Sequence, residues 1–164
     1  MKSSAVLKSQ SYISFLRTAY RSLEHPDFGF VKKTIKARPY ERLIKRMRDY
    51  AVIEEITEGE DDVCIGYLLK GRNALWKLDL SLVGPFGIFV RLSSKVTRDD
   101  FVSPSKKDII EFERKISNLI TNSGTKLLDS HELETHIPIR LINTTENATV
   151  YQAFFCDNPS LPWN

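Results

Sequence analysis

Residues 74–83 constrain the fold more than any other stretch of this chain. Trp76, Leu78, Leu80 and Leu82 alternate with Lys77, Asp79 and Ser81. Successive side chains of a strand point to opposite faces, so this period of two predicts a strand with one buried face and one wet face. A single strand cannot stand alone, and partners are close by in the chain. Residues 50–57 and 63–70 flank Glu58-Gly59-Glu60-Asp61-Asp62, which predicts a hairpin with an acidic tip. Gly84-Pro85-Phe86-Gly87 reads as a reverse turn into a further strand over residues 88–92. Residues 137–142 and 149–155, with a turn from Thr144 to Asn147, predict a terminal strand pair.

Three segments carry helical periodicity instead. Tyr12, Phe15, Leu16, Ala19, Tyr20 and Leu23 form one stripe, which Pro26 closes. A second helix is expected from Pro39, with Leu43, Ile44 and Met47 on its apolar face and Arg42, Lys45, Arg46 and Arg48 largely opposite. A third is expected to open at Ser103-Pro104-Ser105, with Asp108 in a capping-box position. Its stripe is Ile109, Phe112, Ile116, Leu119 and Ile120, and Gly124 closes it. Helices, hairpin strands, a helix and hairpin strands in that order predict an α+β fold: an antiparallel sheet of about five or six strands with three helices packed on it. The chain has 164 residues and no linker long enough to divide it, so a single domain over residues 1–164 is expected. That length buries enough surface for a core without disulfides or metal.

Catalytic and cofactor patterns fail on spacing. His131 and His136 stand five apart, which turns them to nearly opposite sides of a helix, whereas a helical zinc pair needs a spacing of four. They are read as loop histidines, and His25 has no visible partner. Gly84-Pro85-Phe86-Gly87 lies between strands, unlike the Gly-containing clamp of an RNA-binding module, which joins helices. Cys64 and Cys156 sit in separate apolar stretches and are read as two buried thiols. No phosphate loop or nucleophile elbow is present, so no cofactor, no metal and no catalytic residue is assigned. A site assembled from distant residues stays open. No apolar run approaches the ~20 residues that span a bilayer. Lys8, Gln10 and Arg17 interrupt any signal-like apolar block, so a cytoplasmic location is expected.

Charge is the remaining signal. Residues 1–50 hold twelve Lys/Arg against four Asp/Glu, and the rest holds twelve against seventeen, for a total of +3. Two candidate surfaces follow. Glu54, Glu55, Glu58, Glu60, Asp61 and Asp62 lack the alternating ligands of a calcium loop and suit docking to a basic protein. Lys32, Lys33, Lys36, Arg42, Lys45 and Arg46, with Arg38 and Arg48, are dense enough to track phosphates. The acidic remainder would repel the same polymer, which argues against nucleic acid. Trp76 shares parity with the leucines and is placed in the core, whereas Trp163 either pins the tail or projects as a contact anchor.

The layout resembles bacterial immunity proteins, which bind and neutralise toxins delivered by neighbouring cells. The likeness lies in the amphipathic first helix, the acidic-tipped hairpin, Gly84-Pro85-Phe86-Gly87-Ile88-Phe89-Val90 between strands, and a tail ending Leu161-Pro162-Trp163. It implies a non-catalytic cytoplasmic module whose partner is a toxin domain. Many such proteins neutralise nucleases and are acidic, so the net basic charge argues against a nuclease target and leaves open a toxin of another activity or local docking through the acidic stretch. The alternatives carried forward are a nucleic-acid-binding regulator that uses the basic third and an enzyme with a dispersed site.

Overall fold

The computed structural model describes residues 4–57, 62–141, 147–156, 158 and 160–163. It is an α+β fold around a five-stranded mixed sheet in the order β1-β2-β3-β4-β5. Helix α1 spans Ser4–Tyr20, α2 Phe30–Ala37 and α3 Glu41–Met47. Strands β1 (Val52–Glu55), β2 (Cys64–Lys70), β3 (Leu75–Ser81) and β4 (Phe86–Leu92) then form an antiparallel meander. Helix α4 (Glu111–Asn122) carries the chain back to β5 (Lys126–Leu127), which lies parallel to β4. Parallel neighbours need such a crossover, and this one makes the sheet mixed rather than wholly antiparallel. Short helices α5 (Ser130–Leu133) and α6 (Val150–Phe154) complete the chain.

Helices pack on both faces of the sheet, and at Asp79 and Ser81 this overturns the expectation of a wet face on β3. Trp76, Leu78 and Leu80 pack with Tyr67, Leu69 and Phe89 against Leu43, Ile44 and Met47 of α3 and Ile116 and Ile120 of α4. The opposite face contributes Cys64, Phe86, Ile88 and Val90 to a second core with Tyr12, Leu16 and Tyr20 of α1 and Val150, Phe154 and Phe155 at α6. Asp79 and Ser81, expected in water, lie beneath α6 and are buried. Ser81 donates to the Phe154 carbonyl at 2.6 Å. Trp76 is buried as its parity required, and its indole N–H donates to Glu113 Oε1 at 2.8 Å. Arg91 reaches the same oxygen through Nε at 2.8 Å, and the Ile110 amide donates to Oε2 at 3.2 Å. The buried Glu113 carboxylate thus ties α4 to β3 and β4.

Three boundaries differ from expectation. Helix α1 stops at Tyr20, where Arg21 adopts φ 62, well before Pro26. Helix α2 was not anticipated; its stripe is short and only Val31 is fully buried. Helix α4 begins at Glu111 rather than near Ser105, because the Glu113 carboxylate caps the Ile110 amide and supplies the first-turn partner that Asp108 was assigned. Its end is as read: Gly124 follows with φ +90.

The terminal strand pair is also corrected. Among the described residues, 149–155 hold a helix whose Thr149 side chain accepts from the Gln152 amide at 3.2 Å while Gln152 Oε1 accepts from the Thr149 amide at 2.9 Å. Residues Val150 to Phe155 are all buried, so the run shows no amphipathic period and reads like a strand. One bridge, His136 to Thr149, remains of the expected pairing. The assigned turn residues up to Glu146 lie outside the described residues.

Candidate docking face and its pocket

Helix α6 covers only part of its sheet face. Val52, Lys70, Leu75 and Leu92 stand in one cross-strand row, since Val52 opposes Lys70, Lys70 opposes Leu75, and Leu75 opposes Leu92. Val52 is 68% and Leu75 42% exposed, although both are strand residues with large apolar side chains. The next row holds Glu54, Leu68 and Lys77, with Leu68 half-buried and outside both cores. The result is an open half-face of apolar residues among charges, along an edge strand paired on one side only. Glu54 accepts from Lys70 Nζ at 2.8 Å, and this bond holds its carboxyl below the usual range.

Where α6 begins to cover the sheet, the open half-face descends into a pocket of about 150 Å³. Ile56, Thr57, Asp62, Cys64, Gly66, Lys77, Asp79, Tyr151, Phe155 and Cys156 surround it. Each is there for a structural reason. Cys64, Gly66, Lys77 and Asp79 share the strand parity of this face. Asp62 forms a β-bridge with Cys156, and the Val63 amide donates to the Phe155 carbonyl at 3.0 Å, which anchors α6 over the start of β2. Lys77 Nζ lies 3.2 Å from Asp79 Oδ2. Burial pushes the Asp79 carboxyl up, offset in part by Lys77. Burial pulls the Lys77 ammonium down, but the Asp79 charge and hydrogen bond more than reverse this, leaving it raised.

Both cysteines are free thiols at this pocket, Cys64 buried and Cys156 half-buried. Burial, with Asp79 and Asp62 nearby, drives the Cys64 thiol well up. Burial and a hydrogen bond with Asp62 push Cys156 to about 12. A nucleophilic cysteine needs the opposite environment, one that favours thiolate.

The acidic stretch is divided by strand parity. Glu54 and Asp62 belong to the open face, whereas Glu55 opposes Tyr67 on the α3 side, in a pocket with Arg38, Glu41 and Arg48. Asp62 is half-buried against Cys156 rather than projecting from a tip. Glu58, Glu60 and Asp61 lie outside the described residues. The basic set is not divided. Lys32, Lys33 and Lys36 on α2, and Arg42, Lys45 and Arg46 on α3, are all exposed. Arg42 and Arg46 also border a cleft of about 430 Å³ with Asn122, Ser123 and Thr125.

The remaining candidates resolve structurally. His131 lies in α5 rather than a loop and is exposed; His136 is exposed with Nδ1 3.1 Å from the Asn147 carbonyl. Among the described residues no three His, Cys, Asp or Glu side chains converge on a metal position. No described helix is long and apolar enough to cross a membrane. Trp163 pins the tail: its indole donates to Glu134 at 2.9 Å, and its ring meets Phe101 and Tyr151 edge-on. The Asp79 pocket escaped sequence reasoning because its members come from 56–57, 62–66, 77–79 and 151–156. The one available signal was an acidic residue at the centre of the strongest strand. Comparison of the chain with protein-family models, with curated proteins and with solved structures finds no match.

Proposed function

We propose that this chain is a non-catalytic protein-binding module of the immunity-protein kind, which docks a toxin domain on the open half of its sheet. The observation that carries the reading is the row of Val52 and Leu75, both exposed, with Leu75 in a strand whose other residues are largely covered. Exposed apolar area beside charge is the composition of a recognition surface, with aliphatic side chains for burial and charges for orientation. Glu54 and Asp62 border this surface, so the partner face it suits is apolar at its centre and basic at its rim. Protonated thiols and the missing metal-binding spacing support a role without chemistry.

The test is one double variant and one single variant. Val52→Asp with Leu75→Asp should abolish capture of the partner from the producing cells, while circular dichroism and melting stay close to wild type. Glu54→Lys should slow association with that partner at low salt, and less so at 0.15 M, where screening acts over about 8 Å. The captured protein must also be toxic when expressed alone and harmless when co-expressed with this chain. Equal capture by wild type and the aspartate variant would reject the face, and a harmless partner would reject the immunity role.

A second reading rests on the exposed basic run of α2 and α3. Six cations on consecutive helices can follow a phosphate backbone. The acidic residues of the sheet edge leave this reading second.

A further inference from the structure

We infer that the pocket beneath α6 is a binding site for an organic monocation, an ammonium or guanidinium head group, with the Asp79 carboxylate as its counter-ion. The argument rests on the pocket alone and does not depend on the docking role.

Two polar atoms in the pocket have no hydrogen-bond partner among the described residues. Asp79 is 7% exposed, and its ion pair with Lys77 uses Oδ2, leaving Oδ1 without a donor. Tyr151 is also 7% exposed, and its phenol feels Asp79, Asp62 and both thiols, yet its hydroxyl has no bond. Among the described residues, the one polar side-chain atom sealed from solvent without a partner is Ser117 Oγ, so the Asp79 and Tyr151 oxygens border open space. Oxygens that face the pocket in this way are open to a donor that enters it.

The space is kept by a glycine. Gly66 stands opposite Asp79 on β2, and a Cβ there would lie 3.2 Å from Oδ1. The backbone of Gly66 shows no positive φ, so its conformation does not call for glycine. What a larger residue would remove is room beside the carboxylate.

Charge decides the class of ligand. With Asp79 ionised, Asp62 and Asp79 carry two negative charges, Lys77 one positive, and the thiols and phenol are neutral, which leaves a net charge of −1 on the described residues around about 150 Å³. Asp79 Oδ1 and the second lone pairs of Asp62 accept hydrogen bonds and donate none. An anion is excluded by both carboxylates, and a neutral ligand leaves the charge uncompensated. A head group with several N–H donors and one positive charge satisfies the oxygens and the charge together.

The test is titration of the uniformly ¹⁵N-labelled protein with methylguanidinium and with n-butylammonium, using n-butanol as the neutral control. Saturable amide shifts at Gly66, Lys77 and Asp79 are expected, with a Kd on the order of 1–10 mM for cations of about five heavy atoms. Butanol should not reproduce them. Asp79→Asn should abolish saturation. Gly66→Ala, which keeps the charge and fills the space, should weaken binding at least about tenfold, a loss of ~1.4 kcal/mol. The spectra themselves show whether each variant is folded, and Gly66→Ala serves if Asp79→Asn is not. An arginine-containing acetyl-peptide amide separates the two sources of the cation. Saturation at lower concentration than methylguanidinium indicates a polypeptide side chain, and equal or weaker binding indicates a free amine or guanidine. Shifts linear in concentration, shifts matched by butanol, or shifts retained in both variants overturn the assignment.

Discussion

Replacing Trp76 by Phe isolates one bond in the centre of the α4-side core. The indole is 3% exposed, its ring lies 4.5 Å from that of Phe112, and its N–H is one of the donors on the Glu113 carboxylate. Phe keeps an aromatic ring against Phe112 and deletes the donor. A hydrogen bond to a charged group contributes about 1.5–3 kcal/mol. Glu113 keeps Arg91 and the Ile110 amide, so the lower end applies, about 1.5 kcal/mol. The smaller ring leaves a void worth a further ~1 kcal/mol. Trp76→Phe should therefore cost about 2.5 kcal/mol, and Trp76→Ala, which deletes the ring as well, about 5 kcal/mol. With a urea slope of about 2 kcal/mol/M, the Phe variant should lose roughly 1.2 M of midpoint. The Ala variant stands near the limit of what a domain stable by about 5–15 kcal/mol survives. Urea melts followed by far-UV circular dichroism read both without relying on the deleted fluorophore. A Phe variant within about 0.2 M of wild type, at unchanged slope, would refute a net contribution from the Trp76–Glu113 bond.

The other expectations concern protons, thiols and phosphate. Burial, as the largest cause, pushes Tyr12, Tyr40 and Tyr67 from 10.0 to about 12, and Cys156 from 9.0 to about 12. Groups with raised folded-state values hold their protons more tightly when folded, so the stability they contribute is complete below about pH 9 and is lost as pH rises through about 12. Melting temperature should therefore fall across that window while absorbance at 295 nm shows late-titrating tyrosines; complete tyrosinate formation near pH 10 in the folded state would contradict it. At pH 8 an aromatic disulfide reagent should modify Cys156 slowly and Cys64 more slowly still, and rapid reaction of both would show thiolate character that the pocket forbids. DNA should bind weakly at low salt and dissociate by about 0.2 M, and Lys36→Glu with Arg42→Glu and Lys45→Glu should remove that binding; retention above that salt would promote the second reading.

The sequence by itself determined the elements whose side chains see two different environments. The stripe Tyr12, Leu16, Tyr20 and the stripe Ile116, Ile120 are half wet and half dry, so their period reports the helix directly. The strand β3 and the burial of Trp76 were legible because polar and apolar residues alternate along it, and the hairpin β1–β2 and the turn through Gly84 and Pro85 because turn residues separate the strands. Where the environment is dry all round, the pattern carries no period. The run Val150 to Phe155 was therefore read as a strand, and only its contact with Ser81 and Val63 makes it a helix lying across the sheet. Covering that face then buries Asp79, which alternation alone had placed in water. The pocket is likewise a tertiary product. Asp62 and Cys156 are 94 residues apart in sequence, and nothing in either neighbourhood encodes the bridge that joins them. Strand parity also sends Glu54 and Glu55 to opposite faces, a consequence of pairing register that an acidic run does not reveal.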